Sequence, residues 1–186
     1  MIKRNIFIIA ACVLLAAACR EPEDIIPSTQ TGVGGADAGD IAGFFLLNEG
    51  NMGSNKCTLD YYDYATGIYH KNIYAERNPG VVQELGDVGN DLAIYGSKLW
   101  VVVNCSNLVE VMDAATARHI GQISIPNCRY IVFKDGYAYV SSYAGPVETD
   151  PNYRLGYVAR IDTTTLQVKD TCVVGYQPEE MVIVGH

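Results

Sequence analysis

One pattern limits what this chain can fold into more than any other. Four short β-branched and aromatic runs appear between Asn90 and Pro126, and the same four return, stretched, between Arg129 and Gly175. The first copy reads Leu92–Tyr95, Leu99–Val103, Leu108–Met112 and Arg118–Ile125; the second reads Tyr130–Phe133, Tyr137–Val140, Gly156–Ile161 and Leu166–Val174. Turn residues such as Gly96-Ser97-Lys98 and Lys134-Asp135-Gly136 separate the runs, which predicts antiparallel strands joined by tight turns. A four-strand unit repeated in tandem at roughly forty residues predicts the blades of a β-propeller, an all-β fold.

The copies keep register. Leu92 and Ile94 fall on Ile131 and Phe133, and Trp100-Val101 on Tyr139-Val140, all at a spacing of 39 residues. A D-x-x-T signature closes the third run of each unit at Asp63, Asp113 and Asp162, with spacings of 50 and 49. An aspartate opening a tight turn accepts hydrogen bonds from backbone amides two residues on, so these carboxylates are turn formers rather than acid–base pairs.

An earlier unit is visible in Phe44–Leu47, Thr58–Tyr62 and Ile68–Tyr74, which match the second, third and fourth strands of the later copies with no first strand before them. After Gln177-Pro178-Glu179-Glu180, Met181–Val184 is in phase with Leu92 and is expected to open another innermost strand. About three blades are therefore expected over residues 44–186, where ring closure takes four to eight. The expectation is a fragment of a propeller.

The N-terminal residues read as a targeting segment. Lys3-Arg4 precede the short apolar run Ile6–Leu15 and then Ala16-Ala17-Ala18-Cys19, which predicts a signal peptide over residues 1–18. The small residues ending on Cys19 resemble a bacterial lipobox, with Ala16 where a larger aliphatic residue is usual. That resemblance implies a lipidated Cys19 anchored by more than one acyl chain. Residues 19–43 follow as a tether: acidic at Arg20–Asp24, then glycine-rich and small from Pro27 to Gly39, a composition that buries too little to fold alone. Acidic residues directly after a lipid cysteine resemble the export signal of surface lipoproteins in the Bacteroidetes. This implies an outer-membrane, lipid-anchored domain facing the cell exterior. The alternative is that these are solvating linker charges.

Charge narrows the partners. The net charge is −8, and loss of Lys3 and Arg4 with the signal leaves 11 basic against 21 acidic residues. Such a surface repels a phosphate backbone, so nucleic acid is not an expected partner. An apolar content of 49% is ample for a core.

In a propeller the loops between second and third strands, and between one blade and the next, gather on one face, and loops on a rigid scaffold are where binding concentrates. That face is expected to collect Asn48, Asn51, Asn90, Asn104, Asn127, Arg129, Tyr143, Tyr153 and Gln177. Tyr153 belongs to an insertion, Ala144–Arg154, that accounts for the longer second spacing. Amides both donate and accept, and aromatic rings stack, so the set suits a neutral ligand fringed with amides. The competing reading is that asparagine and glycine simply build tight loops.

The residues also carry a family resemblance. V-x-x-I-D-x-x-T from Val158 to Thr165, followed by a strand and Gly175-Tyr176-Gln177-Pro178, resembles the YncE-like, YVTN-type propellers. Phe44–Asn51 with Leu59–Thr66 is similar to surface lipoproteins of Bacteroides, and within them to the vitamin B12-capture lipoproteins. The resemblance implies a seven-bladed full-length fold, a corrinoid (cobalamin) ligand and an outer-membrane transporter as partner. It implies a non-catalytic binding function with no cofactor. A propeller binding protein or glycan on the same face is the alternative.

Catalysis finds no constellation: His70, His119 and His186 fall at unrelated positions, and C-x-x-C-H is absent. No metal site is expected. Cys105 and Cys128 map to loops of the same face on successive blades, so a disulfide between them is one expectation and free thiols the other. Cys172 is expected to be a small buried apolar residue on an outer strand.

Overall fold

The computed structural model describes residues 26–34, 41–82, 84–147 and 154–185. The signal segment, Cys19 and Tyr153 lie outside the described residues. Among the described residues twelve strands and one short helix are formed: β1 Thr29–Gly32, β2 Gly43–Asn48, β3 Thr58–Asp63, β4 Ile68–Lys71, α1 Ile73–Arg77, β5 Gly89–Tyr95, β6 Lys98–Val103, β7 Leu108–Asp113, β8 His119–Ser124, β9 Cys128–Lys134, β10 Tyr137–Ser142, β11 Tyr157–Asp162 and β12 Gln167–Val173. They make three antiparallel four-stranded sheets ordered β1-β4-β3-β2, β5-β6-β7-β8 and β9-β10-β11-β12. The second and third sheets are simple meanders, and the fold is all-β as the repeat requires.

The 39-residue register holds in three dimensions. Leu92 sits opposite Val101 and Ala93 opposite Trp100 in the second sheet, while Ile131 sits opposite Val140 and Val132 opposite Tyr139 in the third. The D-x-x-T turns behave alike. Asp63 Oδ1 accepts from the amides of Ala65 and Thr66, Asp113 Oδ1 from Ala115 and Thr116, and Asp162 Oδ1 from Thr164 and Thr165. Bonds from Thr66, Thr116 and Thr165 respectively lead in holding each carboxyl below the ordinary aspartate range.

The sheets stack face to face, and β6 shows how. Strand alternation sends Leu99, Val101 and Val103 to one side, where they join Leu59, Ile73, Tyr74, Leu85 and Met112 in the core shared with the first sheet. Trp100 and Val102 point the other way and pack with Val109, Val111, Ile131, Ala138, Val140 and Ile161 against the third sheet. A strand apolar on both faces is what a sheet sandwiched between neighbours needs. Polar bridges add to the stacking: Tyr95 Oη accepts from the Gly136 amide at 2.8 Å, Lys98 Nζ donates to Thr163 O at 3.0 Å, and Asn78 Nδ2 donates to Ala117 O at 2.9 Å.

Three features depart from the sequence reading. Thr29–Gly32, within the expected tether, is strand β1, pairing Thr29 with Lys71 and Gly32 with Ile68 along the outer edge of β4. An edge strand offers unpaired amides and carbonyls, which recruit an exposed polar segment without any need for a buried face. The fourth strand of the first sheet is thus outermost, beside β4, and not innermost. The expected strand Ile68–Tyr74 also ends early, because Asn72 adopts left-handed geometry at φ 50° and turns the chain into α1. Ile73 and Tyr74 are then buried from a helix, where they plug the junction between the first two sheets. Finally, residues 181–185 form no strand, and Val182 and Val184 stay 82% and 79% exposed. An apolar run becomes a strand only when a neighbouring edge pairs with it.

Candidate ligand-binding face

Loops at one end of the sheets gather around a cavity of about 670 Å³ lined by Met52, Asn104, Cys105, Asn107, Pro126, Asn127, Gly145, Pro146 and Val147. The residues come from the β2–β3, β6–β7, β8–β9 and β10–β11 connections. This is the face the repeat singled out, and two of its expected residues, Asn104 and Asn127, line the cavity.

The asparagines also hold the loops in place. Asn104 is buried; its Nδ2 donates to Cys128 O at 2.8 Å and to Asn127 Oδ1. Asn127, at a left-handed φ of 44°, donates its backbone N–H to Asn107 Oδ1 at 2.7 Å and its side-chain Nδ2 to Gly145 O at 2.8 Å. An amide network of this kind ties three loops into one wall, and Asn107, whose Nδ2 donates to Cys105 O at 3.3 Å, lines the cavity as part of it. Met52, Pro126, Pro146 and Val147 supply the apolar part, and Met52 and Val147 are 79% and 63% exposed.

Beside the cavity Arg129 and Tyr143 stand together, the guanidinium 5.0 Å from the ring centroid. Glu179 joins them: its Oε2 accepts from Arg129 Nε at 3.1 Å and its Oε1 from the Tyr143 hydroxyl. The remaining expected residues do not converge on the cavity. Asn48 ends β2 and donates to Thr58 Oγ1 and Asp60 Oδ2 at 3.0 and 2.8 Å, a network internal to the first sheet. Asn90 Nδ2 donates to Arg129 O at 2.6 Å, so it fastens β5 to β9. Gln177 bonds Tyr176 Oη at 2.9 Å. Asn51 sits next to Met52, and its carbonyl accepts from Ser54.

Cys105 and Cys128 are free thiols, so the disulfide considered between them is not formed. Cys128 opens β9 with its Sγ turned inward toward the carbonyls of Val103 and Leu108, whereas Cys105 Sγ turns to Asn104 Oδ1. Burial pushes the Cys128 thiol up to about 12, and it raises the Cys105 thiol as well. Cys172 is exposed on β12, contrary to the buried place expected of it, because the whole of β12 faces solvent.

Sequence reasoning passed over Met52 and Asn107, and it reached Pro146 and Val147 only as part of the insertion Ala144–Arg154. Nothing in the sequence joins Glu179 to Tyr143, 36 residues away. Among the described residues no three His, Cys, Asp or Glu side chains gather as metal ligands, and no helix is long and apolar enough to cross a membrane.

A family model described as a domain of unknown function, DUF5074, matches residues 42–176. The chain belongs to the DUF5074 family. The DUF5074 match runs from just before β2 to just past β12, so it takes in every strand but β1 and every loop around the cavity. No curated protein matches the sequence. Among solved structures, a chain of Kuenenia stuttgartiensis hydrazine synthase is similar at 15% identity and a TM-score of 0.35, over 63% of this chain and 43% of that one. This DUF5074 chain therefore spans less than half the length of that relative, and a likeness of that degree says nothing of chemistry.

Proposed function

We propose that this DUF5074 domain is a non-catalytic binding module, a propeller-type scaffold that holds a small, neutral, amide-rich ligand of the corrinoid class against its loop face. The observation that carries the reading is the cavity of about 670 Å³ in which Asn104, Asn107 and Asn127 alternate with Met52, Pro126, Pro146 and Val147. Its volume lies within the range of small-molecule sites, which are mostly apolar with a few fixed polar groups. A corrin ring edge would lie on the apolar residues while its amide side arms exchange hydrogen bonds with the asparagines. The Arg129–Tyr143–Glu179 cluster borders the same face and offers a stacking surface with a charged rim.

In the same reading Cys19 carries the lipid and the domain stands on the outer membrane, facing outward, where it passes ligand to a transporter. The charged and apolar sequence of residues 1–24 supports that placement. The test is calorimetric titration with cobalamin, using the wild type and the Arg129→Ala, Tyr143→Ala and Val147→Asp variants. Saturable binding that weakens at least tenfold in Val147→Asp supports the proposal. Absence of binding, or equal affinity in all three variants, removes the corrinoid from this face and favours a protein- or glycan-binding surface.

A further inference from the structure

A second cavity, of about 370 Å³, opens at the opposite end of the sheets, and neither the repeat nor the family match assigns it anything. One wall is a row of rings running straight across the first sheet. Phe45 pairs with Tyr61 across β2 and β3, and Tyr61 with His70 across β3 and β4. Ring centroids are 4.9 Å apart for Phe45–Tyr61 and 6.3 Å for Tyr61–His70. The facing wall is the β7–β8 turn of the second sheet, residues Ala115 to Arg118, and α1 contributes its first and last residues, Ile73 and Arg77.

The turn that carries Arg118 is held firmly. Ala117 is buried with φ 55°, its amide bonds Asp113 O at 2.8 Å, and Arg118 O accepts from the Asp113 amide at 2.9 Å. Every other described arginine has a partner: Arg77 has Glu76, Arg129 has Glu179, Arg160 has Asp170, and Arg154 bonds Ala144 O. Among the described residues none pairs with the Arg118 side chain, in a chain with 21 acids against 13 bases. A guanidinium left over where carboxylates are plentiful, set opposite aromatic rings, is complementary to a planar anion. Asp63 also borders the cavity, and its Oδ1 is occupied by the Ala65 and Thr66 amides.

We infer that this cleft binds a small planar carboxylate, its body against the Phe45–Tyr61–His70 row and its charge on Arg118 with Arg77 alongside. The site is independent of the loop-face cavity: it uses no residue in common with it and lies at the other end of the sheets. The Tyr61 phenol, raised by burial and then by Asp63, stays neutral and keeps its hydroxyl as a donor for the anion.

Calorimetric titration of the full chain with benzoate as probe, and with benzamide as its neutral isostere, tests this. Saturable benzoate binding is expected, with benzamide at least tenfold weaker. Arg118→Ala lowers benzoate affinity tenfold or more, Arg118→Lys restores part of it, and Ala115→Trp, which fills the exposed mouth of the cleft, abolishes binding. Absence of saturable benzoate binding, equal affinity for the two probes, or full affinity in Arg118→Ala overturns the inference. Cobalamin titrated in parallel distinguishes the two sites, because Arg118→Ala leaves any loop-face binding unchanged.

Discussion

Trp100 is the largest fully buried side chain, and replacing it measures how tightly the second and third sheets pack. It sits on β6 with its ring edge-on to Phe133, centroids 5.4 Å apart, and Tyr95 stacks on the same Phe133 at 4.8 Å. A buried tryptophan removes roughly 250 Å² from water, which at about 25 cal/mol per Å² is an upper bound near ~6 kcal/mol. Truncation to alanine leaves a partly collapsed hole and costs about 3–5 kcal/mol. That is a large share of a total stability on the order of 5–15 kcal/mol. The indole Nε1, however, is buried with no acceptor, an unsatisfied donor that costs about 1–3 kcal/mol. Trp100→Phe removes the orphan donor and keeps a ring against Phe133. Lost volume and relieved desolvation then oppose each other, and the net change is within about 1 kcal/mol. Urea unfolding followed by far-UV circular dichroism is the assay, since the chain has a single tryptophan and its fluorescence disappears with it. With a slope of about 2 kcal/mol per M, Trp100→Ala lowers the midpoint by roughly 1.5–2.5 M and Trp100→Phe by less than about 0.5 M. If phenylalanine costs as much as alanine, or alanine less than about 1 kcal/mol, the packing argument fails.

Gly89→Ala places a Cβ 2.6 Å from Cys57 Sγ and 2.8 Å from Leu47 Cδ1, so overpacking between the first two sheets costs about 1–3 kcal/mol in the same unfolding assay. Glu110 is buried, with Oε1 2.5 Å from His119 Nδ1, and Glu110→Ala removes that bond from a ring that is partly open to water, lowering stability by about 1–3 kcal/mol. The three turn aspartates titrate below their unfolded values, so their contribution is full above about pH 4 and is lost as pH falls through the folded values. A combined Asp63→Asn, Asp113→Asn, Asp162→Asn variant accordingly shows a flatter acid limb in stability against pH. Burial pushes the Cys57 and Cys128 thiols up to about 12, so a thiol reagent at pH 8, read by peptide mapping, labels Cys172 in the native state and those two only on unfolding.

What was legible in the sequence is whatever the repeat encodes. Residues such as Leu92, Trp100 and Asp113 carry the period of the strand or the chemistry of the turn in themselves, and their places follow from alternation and spacing. Asn104 and Asn127 were legible as members of one face for the same reason. What stayed hidden depends on neighbours distant in the chain. Thr29–Gly32 has no strand signature and becomes β1 only because β4 leaves an open edge. Ile73 and Tyr74 have strand-like side chains, yet one left-handed residue, Asn72, sends them into a helix. The Phe45–Tyr61–His70 row spans three strands, and Arg118 reaches it from another sheet, so no local pattern announces that cleft.

Amide hydrogen exchange resolved to single segments tests the stacked-sheet account most directly. The sandwiched strands β6 and β7, with β10 inside the third sheet, are expected to exchange slowest, β12 and β1 fast as exposed edges, and residues 181–185 at rates near an unfolded chain. Uniformly fast exchange across β6 and β7, or slow exchange in residues 181–185, contradicts it.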